Sequence, residues 1–242
     1  MPDTSTPGSE TRLKKPLRVI RIDPDYPQPH AIDRAAALIQ NQGVVIFPTQ
    51  CLYGLAADAR DPRAIKRIFH IKHRSDTNPL LILVHSPTDL KDLVAHIPDA
   101  AKILMQALWP GGLTLVFEAA PGVSELLTAG TGKIGIRIPS HPVARALVKV
   151  AGRPITGTSA NLSGTPGCSQ IKDLPHDLIR AADLVLDAGP LKGGTGSTIL
   201  DITCDPPQIL RSGAIPIDCI QRIIDDSNDR KGTIDTALHK IH

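Results

Sequence analysis

The chain is 242 residues long, enough for one sizeable α/β domain, with the 41% hydrophobic and 21% charged content of a soluble globular protein. One Trp, two Tyr and three Phe argue against a surface that stacks single-stranded bases, and leave Ile, Val, Leu and Ala to build the core. The net charge of +3 does not by itself indicate nucleic-acid binding, but it is compatible with a local basic pocket for a polyanionic small molecule.

In chain order, residues 1–16 are polar and rich in Ser, Thr and Pro, and are expected to form a disordered tail. Leu17 to Ile22 reads as a strand, and Ile32, Ala35, Ala36 and Ile39 then recur at helical spacing before the stop signal Gly43. Val44 to Phe47 is a buried strand ended by Pro48. Asp61 and Pro62 make an N-cap and N1 pair for a helix through Ile71. Leu80 to Val84 is a strand, followed by helical stretches at Pro87 to Val94 and Pro98 to Leu108. Leu113 to Phe117 and Ile134 to Ile138 are strands. Val143, Leu147 and Val150 then mark a helix before a short strand at Pro154 to Thr156. Strands at Asp183 to Asp187, Ser197 to Ile202 and Gln208 to Arg211, and a helix over Ile217 to Ile224, complete the domain, 17–224. Residues 225–242 are a charged tail. Helices between most strands predict a single-domain α/β fold, a twisted open sheet with helices on both faces. The late strands lie close together, so the sheet is expected to be mixed.

The four cysteines (Cys51, Cys168, Cys204, Cys219) form no CxxC pair, which favours reduced thiols over a disulfide framework or zinc site, and the nine histidines show no metal-ligand spacing. No apolar run approaches the roughly 20 residues of a membrane span, and no signal-peptide core follows the polar start, so a cytoplasmic protein is expected. GTGKIG around Lys133 is no P-loop, since the earlier Gly is missing and Ile134 stands where Ser or Thr would reach magnesium. GxGxxG, HExxH and GxSxG are absent too.

Five polar segments fall at strand ends, where open α/β sheets place their ligand sites. Pro48 to Ala59 offers the Thr49 hydroxyl and a turn at Gly54, although a plain strand-to-helix turn explains it as well. Ile71 to Leu80 carries Lys72 and Arg74 with Asn78 beyond them. A helix C-terminus favours such cations, but a Lys and an Arg at a strand end also make a phosphate clamp. Along Lys133 to Pro142, alternation puts Lys133, Gly135 and Arg137 on one side, and an Arg flanked by apolar residues needs an anionic partner. Ile155 to Gly164 is a run of small residues with Ser159 and Asn161 as hydrogen-bonding groups. Leu191 to Ile202 holds Gly193, Gly194 and Gly196, able to turn amides toward an anion, and Arg211 follows at another strand end. The residues alone reach a nucleotide- or phosphate-binding α/β protein.

Taken together, the segments resemble the YrdC-like family of threonylcarbamoyl-adenylate synthases. PTQCLYGLAADA resembles its PT-x-T-x-YGLG-x-x-A, KHRSDTNPL its K-x-R-P-x-x-NPL, and LWPGGLTLVF its WPGPLT; IGIRIPSHP, TGTSANLSG, GSTILDI and ILRSGAI follow in the same order. The resemblance runs from about Val19 to Ile224 and points to the short, single-domain form. It implies a twisted α/β domain with an electropositive cavity that joins L-threonine, bicarbonate or CO2, and ATP into threonylcarbamoyl-AMP and pyrophosphate. Magnesium would travel with ATP, and no metal site on the protein is expected. A partner transferase complex would pass the product to tRNA, and direct RNA binding is a further partnership the resemblance allows.

By motif, the resemblance implies that Lys72, Arg74 and Asn78 hold ATP phosphates and the carboxylate intermediate, with Lys133 near the nucleotide. Ser159, Asn161 and Arg211 would bind ATP, and Thr49, Arg137 and Ser197 threonine; Lys72, Arg74 and Arg137 would be catalytic. Cys51 replaces the family's Thr, Ser75 its Pro, and Leu83 stands where many members carry a threonine-contacting His. Two alternatives are a double-stranded RNA or tRNA-binding module without catalysis, and the carbamoyl-adenylate chemistry of related domains in hydrogenase maturation proteins.

Overall fold

The computed structural model describes residues 19–226, so the expected N-terminal tail and all but two residues of the expected C-terminal one lie outside the described residues. In chain order the elements are β1 (Val19–Arg21), α1 (Pro29–Gln40), β2 (Val45–Pro48), β3 (Tyr53–Ala56), α2 (Pro62–Lys72) and β4 (Ile82–Leu83). They continue with α3 (Asp99–Leu108), β5 (Leu113–Glu118), α4 (Glu125–Thr128), β6 (Lys133–Arg137), α5 (Pro142–Ala151), β7 (Ile155–Thr156) and β8 (Thr158–Ser159). The last are α6 (His176–Ala181), β9 (Leu184–Asp187), β10 (Thr198–Asp201), β11 (Gln208–Arg211) and α7 (217–226). No helix among the described residues is long and apolar enough to cross a membrane.

The expected start of α2 is borne out by its cap. Asp61 accepts a hydrogen bond from the Arg63 amide at 2.8 Å and Pro62 opens α2, satisfying one of the donors a helix N-terminus leaves free. Gly43 ends the α1 turn because a Cβ there would lie 2.6 Å from the Leu38 carbonyl oxygen.

The α/β class and the mixed strand directions hold, but the strands form two sheets where one was expected. One runs β1-β9-β2-β3-β8, the other β11-β10-β5-β6-β4-β7. The first departs from expectation at β3. The run after Pro48 turns back as a hairpin, Ile46 opposite Leu55, instead of leading into a helix. The chain then crosses through α2 into the second sheet. The two sheets meet at a seam where the Thr156 amide donates to the Ala57 carbonyl at 2.9 Å. The Thr156 hydroxyl is bonded to the Ala57 amide and the Leu55 carbonyl, and Arg153 pairs with buried Asp58 at 2.7 Å beside them.

Period-two alternation divides the core. Along β2 and the residue before it, Val44 and Ile46 face one apolar cluster with α2, α3 and α6, while Val45 and Phe47 face another with α1 and α5. The first sheet is thus covered on both faces. In the second sheet, Leu113, Leu115, Phe117, Ile134, Ile136 and Leu200 all enter the first cluster. Of the alternate positions, Arg137 and Ile199 line a cavity, while Thr114 is buried beside Ser197, another lining residue, and shares a hydrogen bond with its hydroxyl.

Candidate active site

The cavity encloses about 500 Å³, within the size range of small-molecule sites. All five segments singled out in the sequence contribute to its lining: Thr49 to Gly54, Arg74 with Pro79 to Leu81, Arg137, Gly157 to Asn161, and Gly194 to Ile199 with Arg211. Backbone bonds between loops hold the walls together. The Tyr53 amide donates to the Cys168 carbonyl at 2.8 Å, and the Gly193 amide to the Cys51 carbonyl at 2.9 Å. The Tyr53 hydroxyl donates to the Gly189 carbonyl at 2.7 Å, and burial raises its pKa.

Three guanidinium groups face this space, and among the described residues no carboxylate lines it. Arg74, just past α2, donates to the Asn78 carbonyl (3.1 Å) and the Pro79 carbonyl (2.6 Å), which folds the 74–79 turn around its own side chain. Arg211, at the end of β11, donates to the Ser197 carbonyl at 2.7 Å and its hydroxyl at 3.2 Å. That hydroxyl shares a 2.8 Å bond with Thr114. Arg137 is different: its Nε is buried and has no hydrogen-bond partner. Burial, with repulsion from Arg211 behind it, lowers its pKa to about 10, a small offset coming from Cys51. Burial likewise lowers those of Arg74 and Arg211. Desolvated cations without a counter-ion are costly, so the arrangement is one that an anionic ligand stabilises.

Lys72 stands behind the wall rather than in it. Its side chain is 1% exposed, and its ammonium donates to the Ser159 carbonyl (2.5 Å), the Asn161 carbonyl (2.7 Å) and the Asn161 Oδ1 (3.2 Å). All three protons are used, so Lys72 holds the 159–161 loop in place. The Ser159 hydroxyl also donates to the Asn161 Oδ1, and the Asn161 Nδ2 donates to the Thr165 carbonyl. Burial first, then repulsion from Arg74, lowers the Lys72 pKa to about 8. The native state therefore gives up this proton near pH 8, whereas the unfolded chain keeps it to about 10.4. Between those values the unfolded state binds more protons, so stability gains from Lys72 as pH rises, while the loop loses a donor. Nucleotide affinity is expected to fall through pH 8 with no matching fall in melting temperature. Lys72→Arg should remove that inflection from a binding titration.

A family model named Sua5_yciO_yrdC, described as "Telomere recombination", matches residues 37–213, most of the chain. The chain belongs to this family. A Bacillus subtilis (strain 168) member named threonylcarbamoyl-AMP synthase is 40% identical over 205 residues, covering 84% of this chain and 59% of that protein. This chain thus spans about three-fifths of that relative's length. The crystal structure of P. abyssi Sua5 complexed with L-threonine superposes with a TM-score of 0.82 at 35% identity, covering 85% of this chain and 60% of that one. E. coli YciO gives 0.77 at 28% identity, covering 84% and 98%.

Not every residue drawn from the family's motifs reaches the cavity of this member. Thr49, Arg74, Arg137, Ser159, Asn161, Ser197 and Arg211 line it. Lys133 does not. It starts β6 and pairs with Asp201 at 2.8 Å, while Arg137 ends the same strand four residues on, about 13 Å away at the strand rise. Asn78 is exposed, and its contribution is the backbone carbonyl that Arg74 holds. Leu83, at the family's His position, is fully buried and packs beneath Gly157, where a Cβ would lie 2.7 Å from the Leu83 Cγ. Leu81, Gly157, Thr158 and Ala214 line the cavity without having been read from sequence. The signal available for Gly157 was a glycine between two strands of small polar residues.

Gly213 fixes the Arg211 corner. A Cβ at this position would lie 2.4 Å from both the Gly196 carbonyl oxygen and the Ser197 carbonyl carbon, which are backbone atoms. Gly213→Ala is therefore expected to cost about 2 kcal/mol or more in urea unfolding, the upper part of the range for overpacking.

Proposed function

We propose that the chain is an L-threonylcarbamoyladenylate synthase, a nucleotidyltransferase acting in the cytoplasm. It joins L-threonine, bicarbonate or CO2, and ATP into threonylcarbamoyl-AMP and releases pyrophosphate. A partner threonylcarbamoyl transferase complex then uses the product to modify tRNA. The observation that carries this reading is the cavity wall of Arg74, Arg137 and Arg211 with no carboxylate among them. The name of the Bacillus subtilis relative and the threonine bound in P. abyssi Sua5 support the choice of substrates.

The reaction brings anions together. A carbamate oxygen attacks the α-phosphorus of ATP, the bond to the bridging oxygen breaks, and pyrophosphate leaves with that electron pair. Preorganised cations lower this barrier by offsetting the charge, and no covalent nucleophile is needed. In this reading Arg137, whose Nε lacks a partner, takes the threonine carboxylate or the carbamate, with Thr49 and Ser197 beside it. Arg74 and Arg211 take the phosphates, and the Ser159–Asn161 loop held by Lys72 takes the nucleotide. Magnesium would be carried by the phosphates, since among the described residues the lining supplies no carboxylate to hold it.

Pyrophosphate release is expected only when ATP, bicarbonate and threonine are all present. Equal release with carbamoyl phosphate and no threonine would replace this reading with the hydrogenase-maturation type. Salt-dependent RNA binding with no ATP turnover would replace it with a binding module.

A further inference from the structure

Residues 188–197, between β9 and β10, follow no helix or strand, yet their later part, Gly194, Gly196 and Ser197, lines the cavity. Gly189, Gly193 and Gly194 have positive φ, and glycine has the most backbone freedom to lose, so the path of this segment has to be imposed from outside. The Leu191 amide donates to the Ser169 carbonyl and the Gly193 amide to the Cys51 carbonyl, each at 2.9 Å. The Gly196 carbonyl accepts from the Ala214 amide, also at 2.9 Å. At the start of the segment the anchor is a side chain. The Tyr53 hydroxyl accepts from the Ala188 amide at 3.0 Å and donates to the Gly189 carbonyl at 2.7 Å, while the Asp187 carboxylate takes the Gly189 amide at 2.9 Å. The turn is met by one oxygen that both accepts and donates, which a phenol supplies. Gly189 itself has φ 79°, and nothing lies within 4 Å of where its Cβ would stand, so backbone conformation, not space, demands glycine there.

We infer that Tyr53 is a positioning residue: from behind the cavity wall its hydroxyl fixes the start of the 188–197 segment, and with it the seat of Arg211 at the segment's end. Residues 187–189, which the hydroxyl touches, lie outside the cavity lining, so the hydroxyl acts through the segment and not on a ligand. The link to Arg211 is direct. Gly196 packs so closely on its guanidinium that a Cβ would lie 3.0 Å from Nη2, and the Ser197 carbonyl accepts from the same nitrogen at 2.7 Å. The Tyr53 ring is fully buried in the apolar core, and that packing survives without the hydroxyl. Ala188 and Gly189 are only half-buried, so water can replace the hydroxyl as their partner. The fold then persists while the segment loses its path. The hydroxyl thus serves the geometry of the wall more than the stability of the protein. The choice of ATP as the substrate affected rests on the proposed function, which gives Arg211 the phosphates.

The test reads the segment and the site separately in Tyr53→Phe, on the full chain. Amide hydrogen exchange by NMR is expected to run at least tenfold faster at Leu191 and Gly193, while the Thr198 amide, which donates to the Gly112 carbonyl at 3.0 Å, keeps its parental rate. The dissociation constant for ATP, from titration calorimetry, should rise at least fivefold, with kcat at saturating ATP and the KM for threonine within twofold of parental. Gly189→Ala, which forces a side chain onto left-handed backbone without touching Tyr53, should reproduce both changes. Phe117→Leu removes core volume near the end of β5, outside the lining. It should lower the melting temperature at least as far as Tyr53→Phe does, with parental exchange in the segment and parental ATP affinity. Parental exchange at Leu191 and Gly193 in Tyr53→Phe would overturn the proposal. So would faster exchange with parental ATP affinity, or an equal loss of ATP affinity in Phe117→Leu. Exchange and ATP affinity are both read without turnover, so failure of the positioning role and failure of the synthase reading are distinguishable.

Discussion

Arg137→Ala is expected to lower threonine-dependent pyrophosphate release by roughly 10²–10³, about 2.7–4 kcal/mol of transition-state stabilisation. Its guanidinium is the cation in the cavity whose buried Nε has no protein partner, and burial has already driven its pKa down to about 10. Charge that forms as carbamate meets ATP would find there a donor already desolvated and aimed, with no reorganisation needed. The same burial makes the folded protein indifferent to its loss or better for it, since an uncompensated cation is costly to keep from water. Steady-state turnover should therefore collapse while the melting temperature holds or rises. An Arg137 that only solvated a strand edge would give the reverse: full turnover and a few tenths of a kcal/mol of lost stability.

Lys72→Ala is expected to cost a similar factor by a different route. It would strip the ammonium from the Ser159 carbonyl and from both oxygens of Asn161, leaving buried acceptors without donors. Each such acceptor costs about 1–3 kcal/mol, offset in part by relief of the lysine's own desolvation. The loop that would hold the nucleotide then loses its anchor, so the KM for ATP should rise as kcat falls. Lys72→Met, which keeps the stem, should reproduce the loss. Lys72→Arg should not restore activity, because a planar fork cannot point three donors at one small cluster of oxygens. Unchanged KM for ATP in all three variants, measured alongside thermal melts, would remove Lys72 from any part in the site.

The five polar segments could be read from sequence because each borders or includes the end of a strand, and strand ends converge in an open sheet. Where expectation missed, the reason was local. Tyr53 to Ala56 is too short and too rich in small residues to signal a strand, so the hairpin it makes with β2 was invisible, and with it the division into two sheets. Alternation correctly put Lys133 and Arg137 on one side of β6, but it says nothing about which end of a strand meets a ligand. Lys72 carried a signal that its charge disguised. It lies seven residues after Ile65 and four after Ile68, in the apolar stripe of α2, where a lysine must find acceptors inside the protein.

Strand order has a consequence for how the protein is made. β9 lies between β1 and β2, so the first sheet has no centre until residues 184–187 exist. β10 is likewise placed beside β5, some eighty positions earlier in the chain. During synthesis the amino-terminal strands must wait, edges unpaired, while most of the polypeptide emerges, and such edges recruit neighbouring chains. The ligand cavity closes later still, because Ser197 and Arg211 are among its walls. A nascent chain stalled short of residue 184 would hold most of the apolar core residues and no way to order them. Expression of this protein should thus depend more on holdase chaperones at the ribosome than the stability of the finished fold would suggest.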